Sequence, residues 1–351
     1  MENISDEILL ELDDLKVHFF TDEGLVKAVD GVSYQLKRGK TLCVVGESGS
    51  GKSVSARAIM QLVQKPGKII GGKINYYQEV SPGKYQTVEI TSLHPTGREI
   101  RRIRGDEIAM IFQEPMSSFS TSYTVGSQIM EAISLHDDVS KAEARSRTIE
   151  LLKRVGIPKP EQRVDEYPFR LSGGMLQRCM IAMALSCNPK ILIADEPTTA
   201  LDVTTQAQIL DLMKELQEDY GMGLIFITHD LGVVAEIADD VAVMYLGNVV
   251  ERADVDTIFN NPQHPYTQAL LRSIPMIEAE PKELNPIYGM VPSPFERPAG
   301  CPFHPRCELS ISGLCDVIAP QTIAINPKHF SRCLMHDKQY RQQFEQEAHY
   351  V

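Results

Sequence analysis

The chain has 351 residues, 43% of them hydrophobic and 23% charged, with a formal net charge of −12. That length and balance suit a soluble globular protein with one large domain and an appendage, or with two domains. The acidic excess argues against a nucleic-acid binder, which carries a basic surplus, and no apolar run reaches the ~20 residues needed to cross a bilayer. The first residues, Met1 to Glu7, are acidic and lack the basic-then-apolar order of a secretion signal. The expectation is a cytosolic protein, brought to a membrane only by a partner, whose seven cysteines form no disulfide framework. Along the chain, Leu9 to Phe20 alternates in polarity as a half-buried strand does. A second such pattern, Val26 to Leu36, follows a turn at Asp22-Glu23-Gly24. A hairpin placed before a nucleotide site can lay an aromatic ring on the base. Phe19 and Phe20 are both candidates, and Phe20 is assigned the role.

Next, Leu42 to Val45 reads as a buried strand of a parallel sheet. It leads into Gly46-Glu47-Ser48-Gly49-Ser50-Gly51-Lys52-Ser53, which fits the phosphate-loop pattern G-x-x-x-x-G-K-[ST], and then into the helix formers Ser55 to Met60. Gly46, Gly49 and Gly51 let the backbone curl so that N–H groups, those around Ser48 and Ser50 included, point at phosphate oxygens. A helix starting near Lys52 adds the positive end of its dipole. Lys52 reaches the β- and γ-phosphates, and the Ser53 hydroxyl holds Mg²⁺. The loop therefore predicts a nucleoside triphosphate site.

Lys65 to Gly105 reads as an irregular β region with turns at Gly71-Gly72 and Ser81-Pro82-Gly83. Glu107 to Phe112 is a buried strand that ends at Gln113-Glu114-Pro115, placing Gln113 at a carboxyl end, where open α/β sheets meet their ligands. Thr124 to Ile157 has a helical pattern. Leu171-Ser172-Gly173-Gly174 opens another helix that runs to Asn188-Pro189. Ser172 is its N-cap, and Gly173 and Gly174 leave free N–H groups at its positive end, a second phosphate-binding device. The strand from Lys190 ends in Asp195, suited to Mg²⁺ beside Ser53, and Glu196, suited to orient or deprotonate a water. Thr198 to Asp202 leads into the next helix. Gly223 to Thr228 is a strand ending at His229, within reach of a γ-phosphate. Val241 to Tyr245 and Asn248 to Glu251 read as a terminal hairpin. Beyond Pro262, recurring prolines, Pro275, Pro281 and Pro286 among them, mark a loop-rich C-terminal region, 261–351, after a main domain, 1–260, whose helical part is about 114–188.

Four cysteines, Cys301, Cys307, Cys315 and Cys333, lie wholly in that region, spaced C-x5-C-x7-C-x17-C. Cys43, Cys179 and Cys187 instead sit in apolar contexts and read as small core residues. Four thiolates in a segment with little core of its own suggest a metal centre that holds it folded. The spacing lacks the paired C-x2-C knuckles that favour zinc. His304 reads as a surface loop residue or, in a zinc site, a substitute ligand.

Together the phosphate loop, Gln113, Leu171-Ser172-Gly173-Gly174, Asp195-Glu196, Ala200-Leu201-Asp202 and His229 resemble the ATP-binding-cassette ATPases, in the family's order, over residues 10 to 260. The resemblance implies an α/β fold: an ABC-type phosphate-loop ATPase domain with an N-terminal antiparallel β subdomain, a mostly parallel core sheet and a helical subdomain, then a small loop-rich C-terminal domain. It implies a head-to-tail dimer with two ATP sites, in which Ser172, Gly173 and Gly174 serve the other chain's nucleotide. Glu196 would polarise the attacking water, His229 contact the γ-phosphate, Gln113 sense Mg²⁺ and link to a transmembrane partner, and Asp202 couple the two sites. Met175 departs from the family's usual glutamine. Gln113-Glu114-Pro115-Met116, His264 to Leu271 and Gly300 to Cys307 resemble the importer branch for dipeptides, oligopeptides and nickel, some relatives of which carry oligosaccharides. That branch implies a second, different ATPase subunit, two transmembrane permease subunits, an extracytoplasmic solute-binding protein, and a place on the cytoplasmic face of the cell membrane. Some relatives carry a [4Fe–4S] cluster on these tail cysteines; zinc or unligated thiols are the alternatives. The rival class, soluble ATPases of DNA repair or ribosomes, brings long coiled coils or two cassettes, and neither is present. A non-hydrolysing module is disfavoured by intact Lys52, Glu196 and His229.

Overall fold

The computed structural model describes residues 7–114, 118–199, 201–273 and 287–347; Pro115, Met116, Ala200, Pro275, Pro281 and Pro286 lie outside them. The expected hairpin is β1 (Ile8–Thr21) and β2 (Gly24–Lys37). β3 (Thr41–Val45) runs straight into the phosphate loop and the helix Lys52–Ile59. The region expected to be irregular is more ordered: β4 (Gly67–Ser81), β5 (Lys84–Glu89) and a helix, Arg98–Asp106. Gly71-Gly72, read as a turn, lies inside β4. At Gly72, φ is 82°, and an added Cβ would sit 2.3 Å from the Asp14 carbonyl oxygen, beside a register shift against β1. The glycine pair thus marks a close backbone approach at a bulge, not a reversal.

β1, β2, β4 and β5 form an antiparallel sheet in the order β2-β1-β4-β5. The remaining strands are β6 (Ile108–Ile111), β7 (Ile191–Asp195), β8 (Gly223–Thr228), β9 (Asp240–Tyr245), β10 (Asn248–Asp254), β11 (Ile323–Asn326) and β12 (His329–Ser331). With β3 they make an eight-stranded sheet, β11-β12-β10-β9-β3-β8-β7-β6, parallel from β9 to β6 and antiparallel beyond. The parallel strands read as continuous apolar runs because both faces are buried. Successive side chains point to opposite faces. Leu42, Val44, Ile193 and Ile225 therefore join one core, shared with the antiparallel sheet and helix Lys52–Ile59. Cys43, Val45, Leu192 and Phe226 join the other, with residues of helices Val125–His136, Lys141–Arg154, Gly173–Ala184 and Val203–Tyr220.

The long helical pattern after Thr124 divides into helices Val125–His136 and Lys141–Arg154, because Ser140 caps the second, accepting from the Glu143 N–H at 3.2 Å. Ser172, Asp202 and Asp254 likewise cap helices Gly173–Ala184, Val203–Tyr220 and Val255–Asn260, each cap contributing ~1 kcal/mol. The proline-rich tail is joined to the main sheet rather than set beside it. β12 pairs with β10, Glu251 opposite Ser331, and the buried Glu251 carboxylate meets His329 Nε2 at 2.7 Å. No helix among the described residues is long and apolar enough to cross a membrane.

Candidate nucleotide site

A pocket of about 370 Å³ opens at the carboxyl end of β3, lined by Ser48 to Ser53 of the phosphate loop, by Gln113 and Glu196, and by Phe19 and Ala28. The loop lies hard against its neighbours. An added Cβ on Gly46 would come within 2.1 Å of the Met244 carbonyl oxygen, and one on Gly51 within 2.2 Å of that of Ala28. Both glycines also hold positive φ, 148° and 99°, so conformation and space together exclude a side chain. Lys52, 5% exposed, donates to the carbonyls of Gly46 at 2.7 Å and Glu47 at 3.0 Å. Burial lowers its pKa, opposed by the carboxylates of Glu196, Asp195 and Glu47. The site is thus ready to exchange those contacts for an anionic ligand.

The Ser53 hydroxyl donates to Asp195 Oδ1 at 2.7 Å. Asp195 is fully buried, and its other oxygen, Oδ2, has no hydrogen-bond partner among the described residues. Burial raises its carboxyl pKa. A buried, orphaned carboxylate oxygen beside a hydroxyl is an oxygen donor set short of a cation, and it suits the hydrated Mg²⁺ expected there. Gln113, grouped with these two as a Mg²⁺ contact, donates from Nε2 to Glu196 Oε2 at 3.0 Å. The Thr199 hydroxyl donates to the same oxygen at 3.0 Å, and His229 Nδ1 lies 3.5 Å from Oε1. Glu196 itself takes a left-handed φ of 48°, a strain of about 1–3 kcal/mol that tertiary contacts must hold. Gln113, Glu196 and His229, from the ends of β6, β7 and β8, are therefore brought together. Thr199 went unrecognised, although a hydroxyl three residues past an acid at a strand end is a local signal.

Phe20 does not take the place assigned to it. It is half exposed, with the Lys68 ammonium 5.8 Å from its ring centre, while its neighbour Phe19 lines the pocket. Adjacent residues of a strand face opposite ways, so only one of the two can serve. Ser172 and Gly173 are exposed and do not line this chain's own pocket. Ser172 accepts from the Met175 N–H at 3.3 Å, and Met175 packs on the core beneath. Asp202 accepts from the Thr205 N–H at 3.0 Å and hydroxyl at 2.7 Å, which holds its carboxyl pKa down.

In the tail, Cys301, Cys307, Cys315 and Cys333 line one small cavity with Phe303, Leu334 and Phe344. Burial there pushes the thiols of Cys307 and Cys333 up to about 12, and the neighbouring cysteines add to it. Even so, among the described residues no group of three or more His, Cys, Asp or Glu side chains is set to hold a metal ion. The expected metal ligands thus share a cavity without standing in a ligating arrangement. His304, the substitute ligand, lines the same cavity, and its Nδ1 lies 2.9 Å from the Cys301 carbonyl oxygen.

Residues 29–199 match the family model for the ABC transporter, and residues 250–315 that for the oligopeptide/dipeptide transporter C-terminal region. The oligopeptide transport ATP-binding protein AppD of Bacillus subtilis is 48% identical over 95% of this chain and 99% of its own. The dipeptide transport ATP-binding protein DppD of Escherichia coli is 50% identical over 85% of this chain and 88% of its own. Among solved structures, the dimeric cassette MJ0796 in a post-hydrolysis state with ADP and phosphate matches at TM-score 0.61 and 27% identity, over 70% of this chain and 99% of that one. The chain is therefore an ATPase of the ABC transporter family, belonging to the ATP-binding proteins that carry the oligopeptide/dipeptide transporter C-terminal region.

Proposed function

We propose that this chain hydrolyses ATP to drive peptide import. It would pair head to tail with a second, different ATPase subunit on the cytoplasmic face of the cell membrane, beneath two permease subunits fed by an extracytoplasmic solute-binding protein. The observation that carries the chemistry is the Glu196 carboxylate, held from three sides by Gln113, Thr199 and His229 next to the Ser53–Asp195 pair. Peptide as the solute is supported by near 50% identity to oligopeptide and dipeptide transport ATP-binding proteins along most of both chains. Lys52 and the loop N–H groups bind the phosphates, and Phe19 faces the base. Ser53 and Asp195 would hold Mg²⁺, which would supply charge neutralisation at the phosphates. Glu196 orients a water and takes its proton, with Gln113 and Thr199 fixing the carboxylate and His229 reaching the γ-phosphate. Exposed Ser172 and Gly173, with half-buried Gly174, do not line their own pocket and would complete the partner's site, and Asp202 would pass its state across the dimer.

Vesicles holding the assembled transporter and enclosed ATP should take up labelled di- or oligopeptide from loaded binding protein. Uptake of nickel or oligosaccharide with no peptide uptake would overturn the peptide assignment. In the tail we assign a [4Fe–4S] centre to Cys301, Cys307, Cys315 and Cys333. Their convergence in one cavity supports it, and a cluster spreads its thiolates more widely than a single zinc ion does. The centre is structural or redox-sensing, since four protein ligands leave no open position. Protein purified without oxygen should be brown, absorb broadly at about 400 nm and hold about four irons per chain. Colourless protein with stoichiometric zinc, or a folded tail without metal, would refute this.

A further inference from the structure

The C-terminal region reaches back into the nucleotide site at two places. Ser293, Pro294 and Arg297 line the pocket opposite the phosphate loop. Arg297 is fixed there by an ion pair with Asp30 of β2 at 2.9 Å and by a hydrogen bond to the Asn248 side chain of β10. The second contact is Arg306, in the short turn His304–Arg306 that joins Cys301 to Cys307. Its guanidinium, 3% exposed, grips the Glu47 carboxylate with both ends, Nη1 to Oε2 at 2.7 Å and Nη2 to Oε1 at 3.0 Å, while Nε donates to the Tyr288 carbonyl at 3.1 Å.

Glu47 is the second residue of the phosphate loop. Its N–H donates to the Tyr266 hydroxyl at 2.9 Å, and its carbonyl receives Lys52 at 3.0 Å. Tyr266, Tyr245 and Phe303 pack edge to face behind it, with Phe303 5.2 Å from Tyr245 and 5.3 Å from Tyr266. The N–H, carbonyl and carboxylate of Glu47 are thus each tied to the tail or to the loop's own lysine. A bidentate arginine–carboxylate pair fixes orientation as well as distance.

We infer that the C-terminal region is part of the ATP site: Arg306 positions the phosphate loop through Glu47, and Ser293, Pro294 and Arg297 form a wall of the nucleotide pocket. Arg306 is a positioning residue, since it touches the loop and not the ligand. The inference rests on ATP binding alone and is independent of the solute carried.

The test uses the full chain for equilibrium binding of ATP with Mg²⁺, and the assembled transporter for steady-state ATP hydrolysis. Arg306→Ala should raise the Kd for ATP about tenfold, one hydrogen-bonded ion pair's worth of loop order. Glu47→Ala should do the same from the loop side. Combining the two should add nothing further, because both remove one interaction. Arg306→Lys, which keeps the charge and loses the fork, should recover only part of the affinity. In the transporter, KM for ATP should rise while kcat at saturating ATP stays within about twofold, the pattern of lost ground-state binding. Should Arg306→Ala fail to fold, Glu47→Gln decides, since its amide oxygen still accepts from the buried Arg306 guanidinium while the charge and one arm of the fork are lost. Unchanged affinity in a folded single variant, or losses that add in the double variant, would overturn the inference.

Discussion

Glu196→Gln should lower ATP turnover by about 10²–10⁴-fold, the usual cost of losing a positioned general base, while ATP still binds. The reason is the separation of tasks within the pocket. In the proposed mechanism phosphate binding falls to the loop and Lys52, whereas the Glu196 carboxylate is met, among the described residues, by Gln113, Thr199 and His229. A glutamine fills the same volume and can still accept from Thr199, so the left-handed turn at Glu196 is retained. It cannot take a proton from water. Turnover equal to the unaltered protein, measured as phosphate release by the assembled transporter, would remove Glu196 from the mechanism.

Lys52→Ala should act earlier, on binding itself, weakening ATP by about 10–100-fold, since a charge-assisted hydrogen bond contributes about 1.5–3 kcal/mol. Lys52 is buried beneath the loop and already bonded to the Gly46 and Glu47 carbonyls. Its removal therefore loosens the loop as well as withdrawing the charge that meets the phosphates. Equilibrium titration of the isolated chain with ATP is the check. Unaltered affinity would mean that the phosphates do not sit on this loop.

The site was legible where its residues are local in sequence or end on strands. Gly46 to Ser53 declares itself because strand, glycines and helix are contiguous. Asp195-Glu196 declares itself because an apolar run stops at two acids. Gln113 and Glu196, 83 residues apart, were each read at a strand end, and they meet because parallel strands deliver their carboxyl ends to one edge. Register was not legible: alternation could not say which of Phe19 and Phe20 faces the pocket, since a one-residue slip exchanges them. The helix Arg98–Asp106 was hidden by its composition, with only Ile100 and Ile103 buried and non-helical backbone at Arg104 and Gly105. The tail's prolines suggested an independent appendage. Its contacts with the loop span 259 residues for Arg306 and Glu47, and its pair with Asp30 spans 267. No local pattern carries information over that distance. The four tail cysteines line one cavity, yet spacing alone could not say how their thiols are arranged.

The most direct measurement is phosphate release by vesicles carrying the assembled transporter, before and after adding peptide-loaded binding protein on the external side. ATP hydrolysis should rise with loaded binding protein, fall to background when this chain carries Glu196→Gln, and run together with peptide uptake. Hydrolysis indifferent to the loaded binding protein, or peptide uptake that persists with Glu196→Gln in place, would contradict the account.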